Sequence, residues 1–487
     1  MKINRLLAVL CALALGLSLL PLGGLAEDAA DISSLYKERD IDDTWSAADA
    51  TVIDLNSLTE QTLTLSEGGD YVLSGTWAGQ IIVETAEDVK VRLILNGVSI
   101  DSPSGPAIYE KLADKLIVTL AEGTENTLTA RDAISDGEDT IGAALYAEDD
   151  LSINGKGSLT ATGDATHGIQ SKADLIIADG TLNVTALKDG IRGRNSVLVL
   201  GGTIRIVSQG EGIVSTRDDK EGKGWVVIAG GDLNIQTGSG AGSVTASSQY
   251  GGFSRGGWEQ GGFYQGGWGR GGWGQDGWNT SNVTEDSGES QKGVKAATEL
   301  TIAGGTVSLN CADDGLHAPD VSITGGSLTI ATGDDGIHAD NQVTIRGGKV
   351  DITQSYEGIE GTVVSIEDGT VSVQASDDGI NASQKSESLT ALIRITGGDI
   401  TVAVGAGDTD CLDSNGSLEI TGGTVRVTGN STFDVNDSVS FTGGTVYENG
   451  RQVTTITGGT GFGWQQQGPG GFQQGGGYRR GGGRNWR

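Results

Sequence analysis

Positive charge is scarce in this chain. Its 487 residues carry 32 Lys and Arg against 64 Asp and Glu, a formal net charge of −32. So acidic a surface excludes nucleic acid as a partner, because phosphates would be repelled. It suits cations, or a ligand that is neutral or bridged by cations. Cysteine is scarce as well, with three in all. Cys11 lies in an N-terminal apolar run, which leaves Cys311 and Cys411. The chain's internal repeat sets these two about four rungs apart, too far to bridge, so two buried thiols are expected rather than a disulfide staple. Proline (5) and aromatic residues (5%) are few, whereas glycine reaches 82. Hydrophobic residues still make up 36%, enough for a real core, so the chain as a whole is not disordered.

The N-terminus has Lys2 and Arg5, an apolar run over residues 6–20, and small residues at Gly24 and Ala26. This is the pattern of a secretion signal cleaved after Ala26. The run is short for a membrane span. Cys11 is preceded by Leu10 and the run continues past it, which argues against a lipoprotein site. Removing residues 1–26 takes away two bases and no acid, leaving −34. A secreted or cell-surface protein is expected, with no span in the mature chain, and no sorting motif is evident at the C-terminus.

A repeat dominates the rest of the chain. Gly168, Gly190, Gly212, Gly293, Gly315, Gly336, Gly358 and Gly379 each precede a hydrophobic residue, at steps of 22, 22, 81, 22, 21, 22 and 21. Cys411 and Thr432 continue the series. The step of 81 holds one or two turns plus an insertion. Each unit ends alike, as in VSITGGSLTI, VTIRGGKVDI and IRITGGDITV. Alternation with period 2 marks strands with one face in and one face out. The paired glycines fit tight corners with positive φ. The unit is too short for a propeller blade and has no helix for a leucine-rich horseshoe. Three short strands and three corners fit it, which is one coil of a single-stranded parallel β-helix of about 21–22 residues per rung. An antiparallel sandwich would not require so constant a period.

The organisation expected is a signal peptide (1–26), a linker or cap (27–50), a first solenoid part (51–237), a Gly/Trp/Gln-rich insertion (238–291), a second solenoid part (292–457) and a Gly/Gln/Arg-rich tail (458–487). Neither low-complexity segment can bury a core, and both are expected to be disordered. Their aromatic rings also suit sugar contact or self-association.

The period stacks equivalent positions. The residue before the Gly is an acid on five successive rungs: Asp314, Asp335, Glu357, Asp378 and Asp410. One residue earlier stand Asp313, Asp334 and Asp377; two after the Gly stand His317, His338, Glu360, Asn381, Asp413 and Asp434. Bare carboxylates ~5 Å apart repel by about 3 kcal/mol at an effective dielectric of 20, and by under 1 kcal/mol in water. Calcium takes six to eight oxygens with flexible geometry, and carboxylates of adjacent rungs plus Asn381 could supply them. The alternative is a solvated acidic edge that keeps the protein soluble, with Asp favoured in turns for local reasons. Zinc fits less well, since acids outnumber the histidines. A stacked, solvent-facing His pair is expected.

At this point a resemblance becomes specific. The stretch LSEGGDYVLSGTWAGQIIVETAEDVKVRLILNGVSI, then GPAIYEKLADKLIVTLAEGTENTL, DDLSINGKGSLTATG and DDGIHADNQVTIRGG, resembles the secreted carbohydrate-binding β-helix proteins of clostridia and their relatives. It covers residues 51–450 apart from the insertion. The resemblance implies a right-handed parallel β-helix like that of pectate lyases, calcium held by acids on the solenoid, and non-catalytic binding to cellulose and to acidic glycans such as pectin. It carries over onto Asp313, Asp314, Asp334, Asp335, Asp377 and Asp378. Glu357, Glu360, Asp410 and Asp413 align but depart from the motif.

Three functions are therefore in play. The first is a calcium-dependent polysaccharide binder, expected as a monomer. The second is a pectate lyase, which needs a Lys or Arg base near the sugar C5 proton and calcium at the developing enolate. Lys292, Lys295, Lys385, Lys188 and Arg192 lie near the columns, but they read more simply as counterions. The third is a structural adhesin with the solenoid as a spacer.

Overall fold

The computed structural model describes residues 32–136, 139–242, 290–406 and 409–457. The signal-peptide reading, the tail and most of the insertion fall outside the described residues.

One rung explains the rest. Ile169–Ser171, Asp174–Ile177 and Thr181–Ala186 are three short strands separated by corners. None pairs with its neighbour in sequence. Each pairs in parallel with the equivalent strand one rung on: Ile169 with Ile191, Leu175 with Val197, Leu182 with Ile204. Alternation turns every second side chain inward, and the inward residues of the first strand form an unbroken file. Leu145, Ile169, Ile191, Ile213, Val294, Leu316, Ile337, Ile359, Ile380 and Leu412 are all fully buried. The core is thus a stack of aliphatic layers, stabilised by each rung's neighbours. The chain is a parallel β-solenoid, as the period predicts.

The Gly-Gly corner behaves as expected at its second residue: Gly326 has φ +82° and Gly348 +77°. The Gly before each inward residue has a different reason. A Cβ on Gly336 would sit 2.6 Å from the carbonyl oxygen of Gly358 in the next rung. Glycine there lets one corner lie directly on the next.

The step of 81 is one turn plus the insertion, because Ile213 pairs directly with Val294. Among the described residues, two antiparallel pairs break the parallel pattern. Ile134–Asp136 pairs with Asp139–Ile141, and Thr445–Glu448 turns back onto Arg451–Val453, closing one edge of the final rung. At the other end, residues 32–43 lie against the flank. Asp40, 2% exposed, pairs there with Lys115 at 2.5 Å and accepts a hydrogen bond from Ser152. Cys311 and Cys411 are buried free thiols. No helix among the described residues is long and apolar enough to cross a membrane.

Candidate functional site

The acids stack as their period requires. The N–H of Gly293 donates to the carbonyl of Asp314, Gly315 to Asp335, Gly336 to Glu357, Gly358 to Asp378 and Gly379 to Asp410, each at 2.9–3.0 Å. The residue two after the Gly forms a second file along the same corner. Register carries it from Tyr109 through Tyr146, Gln170, Arg192, Val214, Lys295, His317, His338, Glu360, Asn381 and Asp413 to Asp434. Its chemistry changes along the axis, from aromatic to basic to imidazole to acid.

Part of the repulsion is relieved by backbone. The N–H of Glu211 donates to Asp189 Oδ1 one rung earlier at 3.0 Å, Lys292 N–H to Glu211 Oε2 at 2.9 Å, and Asp410 N–H to Asp378 Oδ1 at 2.8 Å. A carboxylate in one rung thereby caps an N–H in the next. Side chains do the rest, but only over part of the column. Arg192 Nη1 donates to Asp189 at 2.6 Å, and Lys295 pairs with Glu211 at 3.2 Å. Lys292 Nζ donates to Asp313 at 3.0 Å and to Asp314 at 2.6 Å, where His317 Nδ1 also lies at 2.8 Å. His338 Nδ1 meets Asp335 at 2.7 Å, its Nε2 accepts from Lys385 at 2.9 Å, and Lys385 also pairs with Glu360.

These contacts set the electrostatics. Burial pushes Asp314 upward, but His317 and Lys292 outweigh it and hold the carboxyl well below its ordinary range. Burial likewise opposes ionisation of Asp189, yet His167 and Arg192 bring it down to about 2. Burial lowers Lys292, and the two carboxylates more than reverse that, fixing its ammonium as charged. Asp335 goes the other way: burial and the neighbouring Asp314, Asp334 and Glu360 raise it well above the usual range.

Around and beyond the Lys385–Glu360 pair, three carboxyls are raised instead. Glu357 is pushed up to about 9 by burial and by Glu360 and Asp335. Burial and the acids around it raise Asp378 to about 7, and burial with Asp434 and Asp410 raises Asp413 to about 6. Burial and neighbouring acids dominate the shifts of all three. Two oxygens in this stretch are buried without a hydrogen-bond partner, Asn381 Oδ1 and Asp434 Oδ1. Asn381, 8% exposed, spends its amide N–H on Glu357 at 3.0 Å and leaves its carbonyl oxygen free.

The residues expected from sequence therefore fall into two groups. Asp313, Asp314 and Asp334 bring carboxylate oxygens close together, as do Asp335 and Glu360 with His338, but these clusters already hold internal cations. Glu357, Asp378, Asn381 and Asp413 lie on the next stretch of the same column, where burial and neighbouring acids raise the three carboxyls, and Asp377 and Asp410 stand beside Asp378 along it. The donor set of that stretch, carboxylates plus an unsatisfied amide carbonyl, fits a hard cation. The histidines do stack, with ring centroids 4.7 Å apart, but their side chains are only 20% and 17% exposed and face the acids. Lys385 was readable only as a nearby base; its reach back two rungs depends on a loop, residues 383–391, whose path the sequence does not reveal. The upstream part of the file was missed, although Gln170 and Arg192 also stand two after a Gly and carried the signal.

The model of the carbohydrate-binding domain-containing protein family matches residues 59–336 and 334–461. A protein of Acetivibrio thermocellus described in the same words is 35% identical over 138 residues, 28% of this chain and 48% of that protein. The match thus spans about half the length of that relative. A solved structure described as the polysaccharide lyase-like protein from C. thermocellum, in a gadolinium derivative, is 25% identical with a TM-score of 0.40, covering 57% of this chain and 92% of that one.

Proposed function

We propose that this chain, which belongs to the carbohydrate-binding domain-containing protein family, is a secreted, non-catalytic polysaccharide-binding solenoid whose acid column takes up calcium. Family membership supports a polysaccharide as partner. Calcium rests on one observation: the buried, unpartnered Asn381 Oδ1 beside Glu357, Asp378 and Asp413, whose carboxyls burial and neighbouring acids raise. Asn381, Asp378, Asp413 and Asp434 would hold the ion. When bound, calcium supplies positive charge to the column and a bridge to carboxylates or hydroxyls of a glycan, cellulose-like or pectin-like. The coil is taken as right-handed, the hand that parallel crossovers adopt almost always.

The lyase reading loses its support at the base. Lys292 is locked as an ammonium between Asp313 and Asp314, Lys295 is paired with Glu211, and Arg192 with Asp189. Glycan-array binding of the purified chain, with calcium and with chelator, tests the proposal. Binding to acidic glycans that chelator abolishes is the expected result; binding indifferent to calcium would remove the ion from the reading.

A further inference from the structure

Two rungs leave the regular coil at the same corner. Between Ile213–Ser215 and Trp225–Ile228 the chain makes a nine-residue loop, 216–224, whereas the preceding rung joins Ile191–Gly193 to Ser196–Val199 with two residues. Between Ile380–Ala382 and Leu392–Ile395 it makes another, 383–391, where the preceding rung needs only Thr362. Four rungs lie between the loops, and in two of them, Leu316–Ile323 and Ile337–Ile345, strand runs straight through the corner. At a rung spacing of about 4.8 Å, the loops stand roughly 24 Å apart at the ends of a flat strip.

Both loops are built in. Thr298 N–H donates to Gly224 O at 3.0 Å and its hydroxyl to Lys223 O at 2.8 Å; Arg217 donates to Asn195 at 2.9 Å. In the second loop, the N–H groups of Lys385 and Ser386 both donate to Thr362 Oγ1, at 3.1 and 2.9 Å. The first loop borders an open groove of about 470 Å³, lined also by Trp225, Thr298, Glu299 and Asp320. Trp225 is half-buried, and its indole N–H is already spent on Gly222 O at 3.1 Å, which fixes the ring. With that N–H spent, the ring lines the groove as an apolar surface. Around that face stand acceptors, Glu299 and Asp320, and along the strip Asp340 and Asn341 follow, the latter donating to Asp320 at 3.4 Å.

A held aromatic face ringed by hydrogen-bond acceptors is complementary to a pyranose, which presents C–H groups on one face and hydroxyls at its rim. The sign of the lining selects among sugars. Asp218, Asp219, Glu221, Glu299 and Asp320 outweigh Lys220 and Lys223, and Lys223 is tied to Asp174 at 2.7 Å. A uronate would meet net repulsion. We propose that the strip between the two loops is a second glycan-binding surface, independent of calcium, in which Trp225 stacks on a neutral pyranose and the chain runs along the solenoid axis. This rests on the carbohydrate-binding reading but not on its calcium part.

Calorimetric titration of the full chain with neutral hexasaccharides (cello-, xylo- and mannohexaose) and with hexagalacturonate, each in EDTA and in calcium, tests it. At least one neutral hexasaccharide should bind in EDTA and hexagalacturonate should not. Trp225→Ala should weaken the neutral ligand about tenfold or more, and Trp225→Tyr, which keeps an aromatic face, by less. Should Trp225→Ala fail to fold, Asp320→Asn at unchanged melting temperature should still weaken binding severalfold. No neutral ligand bound in EDTA, equal affinity in the folded variants, or preference for hexagalacturonate in EDTA would each overturn the proposal. Binding seen only with calcium would overturn it too, while leaving the acid-column reading intact.

Discussion

Asp335 donates its backbone N–H to Oδ1 of Asp314, one rung earlier, at 3.2 Å, while the two carboxyl groups are displaced in opposite directions from their ordinary pKa. Asp314 is ionised and holds Lys292 and His317; Asp335 is the neighbour that must tolerate that charge. A repeated acid is thus not a repeated role.

The first prediction concerns Asp314. Asp314→Ala leaves the half-buried Lys292 ammonium with Asp313 alone and strands the Asp335 N–H. Loss of a buried partner of a charge costs about 3–5 kcal/mol. A fall in melting temperature larger than that of Asp313→Ala, whose carboxylate is more exposed, is the expected outcome in thermal denaturation.

Calcium should raise the melting temperature, and EDTA should reverse the rise, because an ion that binds only the native state stabilises it. Asn381→Ala or Asp378→Asn with Asp413→Asn should remove most of the increment. Lys292→Ala should leave it in place, since the ion is assigned downstream. An increment surviving the double variant would move the ion elsewhere.

Glu110 supplies a pH signature away from the acid column. It is fully buried, one oxygen lacks a partner, and burial pushes it up to about 7 from 4.5. The native state therefore holds this proton after the unfolded chain has released it. Its contribution to stability is complete at low pH and is lost as pH rises from about 4.5 through about 7. Glu110→Gln, which cannot ionise, should melt like the parent near pH 4 and above it at pH 8.

No unsaturated product should accumulate from polygalacturonate at alkaline pH with calcium. The carboxylates around Lys292 keep it charged there, so it accepts no proton. Steady growth of product absorbance, lost in Lys292→Ala or Lys295→Ala, would establish the lyase instead.

The fold was legible because one physical constraint repeats. Gly315, Gly336, Gly358 and Gly379 mark a corner that must pass within van der Waals distance of the next, and the aliphatic residue after each faces the core. Columns follow from the period alone, so Asn381 and Asp413 were placed correctly. What the period does not carry is compensation. His338 finds Lys385 forty-seven residues away, through a loop that breaks the repeat. The Trp225 groove escaped for the same reason: it is bordered by the loop 216–224, an irregularity, and a reading by period looks past irregularities.

The insertion carries a consequence of its own. Ile213 pairs with Val294 across it, Thr237 Oγ1 donates to Gln291 O, and Gly238 N–H donates to Ser208 O at 2.8 Å. The described rungs on either side of residues 243–289 thus pair directly with each other in one continuous register. A domain spliced between residues 242 and 290 would therefore stand on a seam whose two banks already hold each other, which makes this the place where the scaffold can acquire a new attachment.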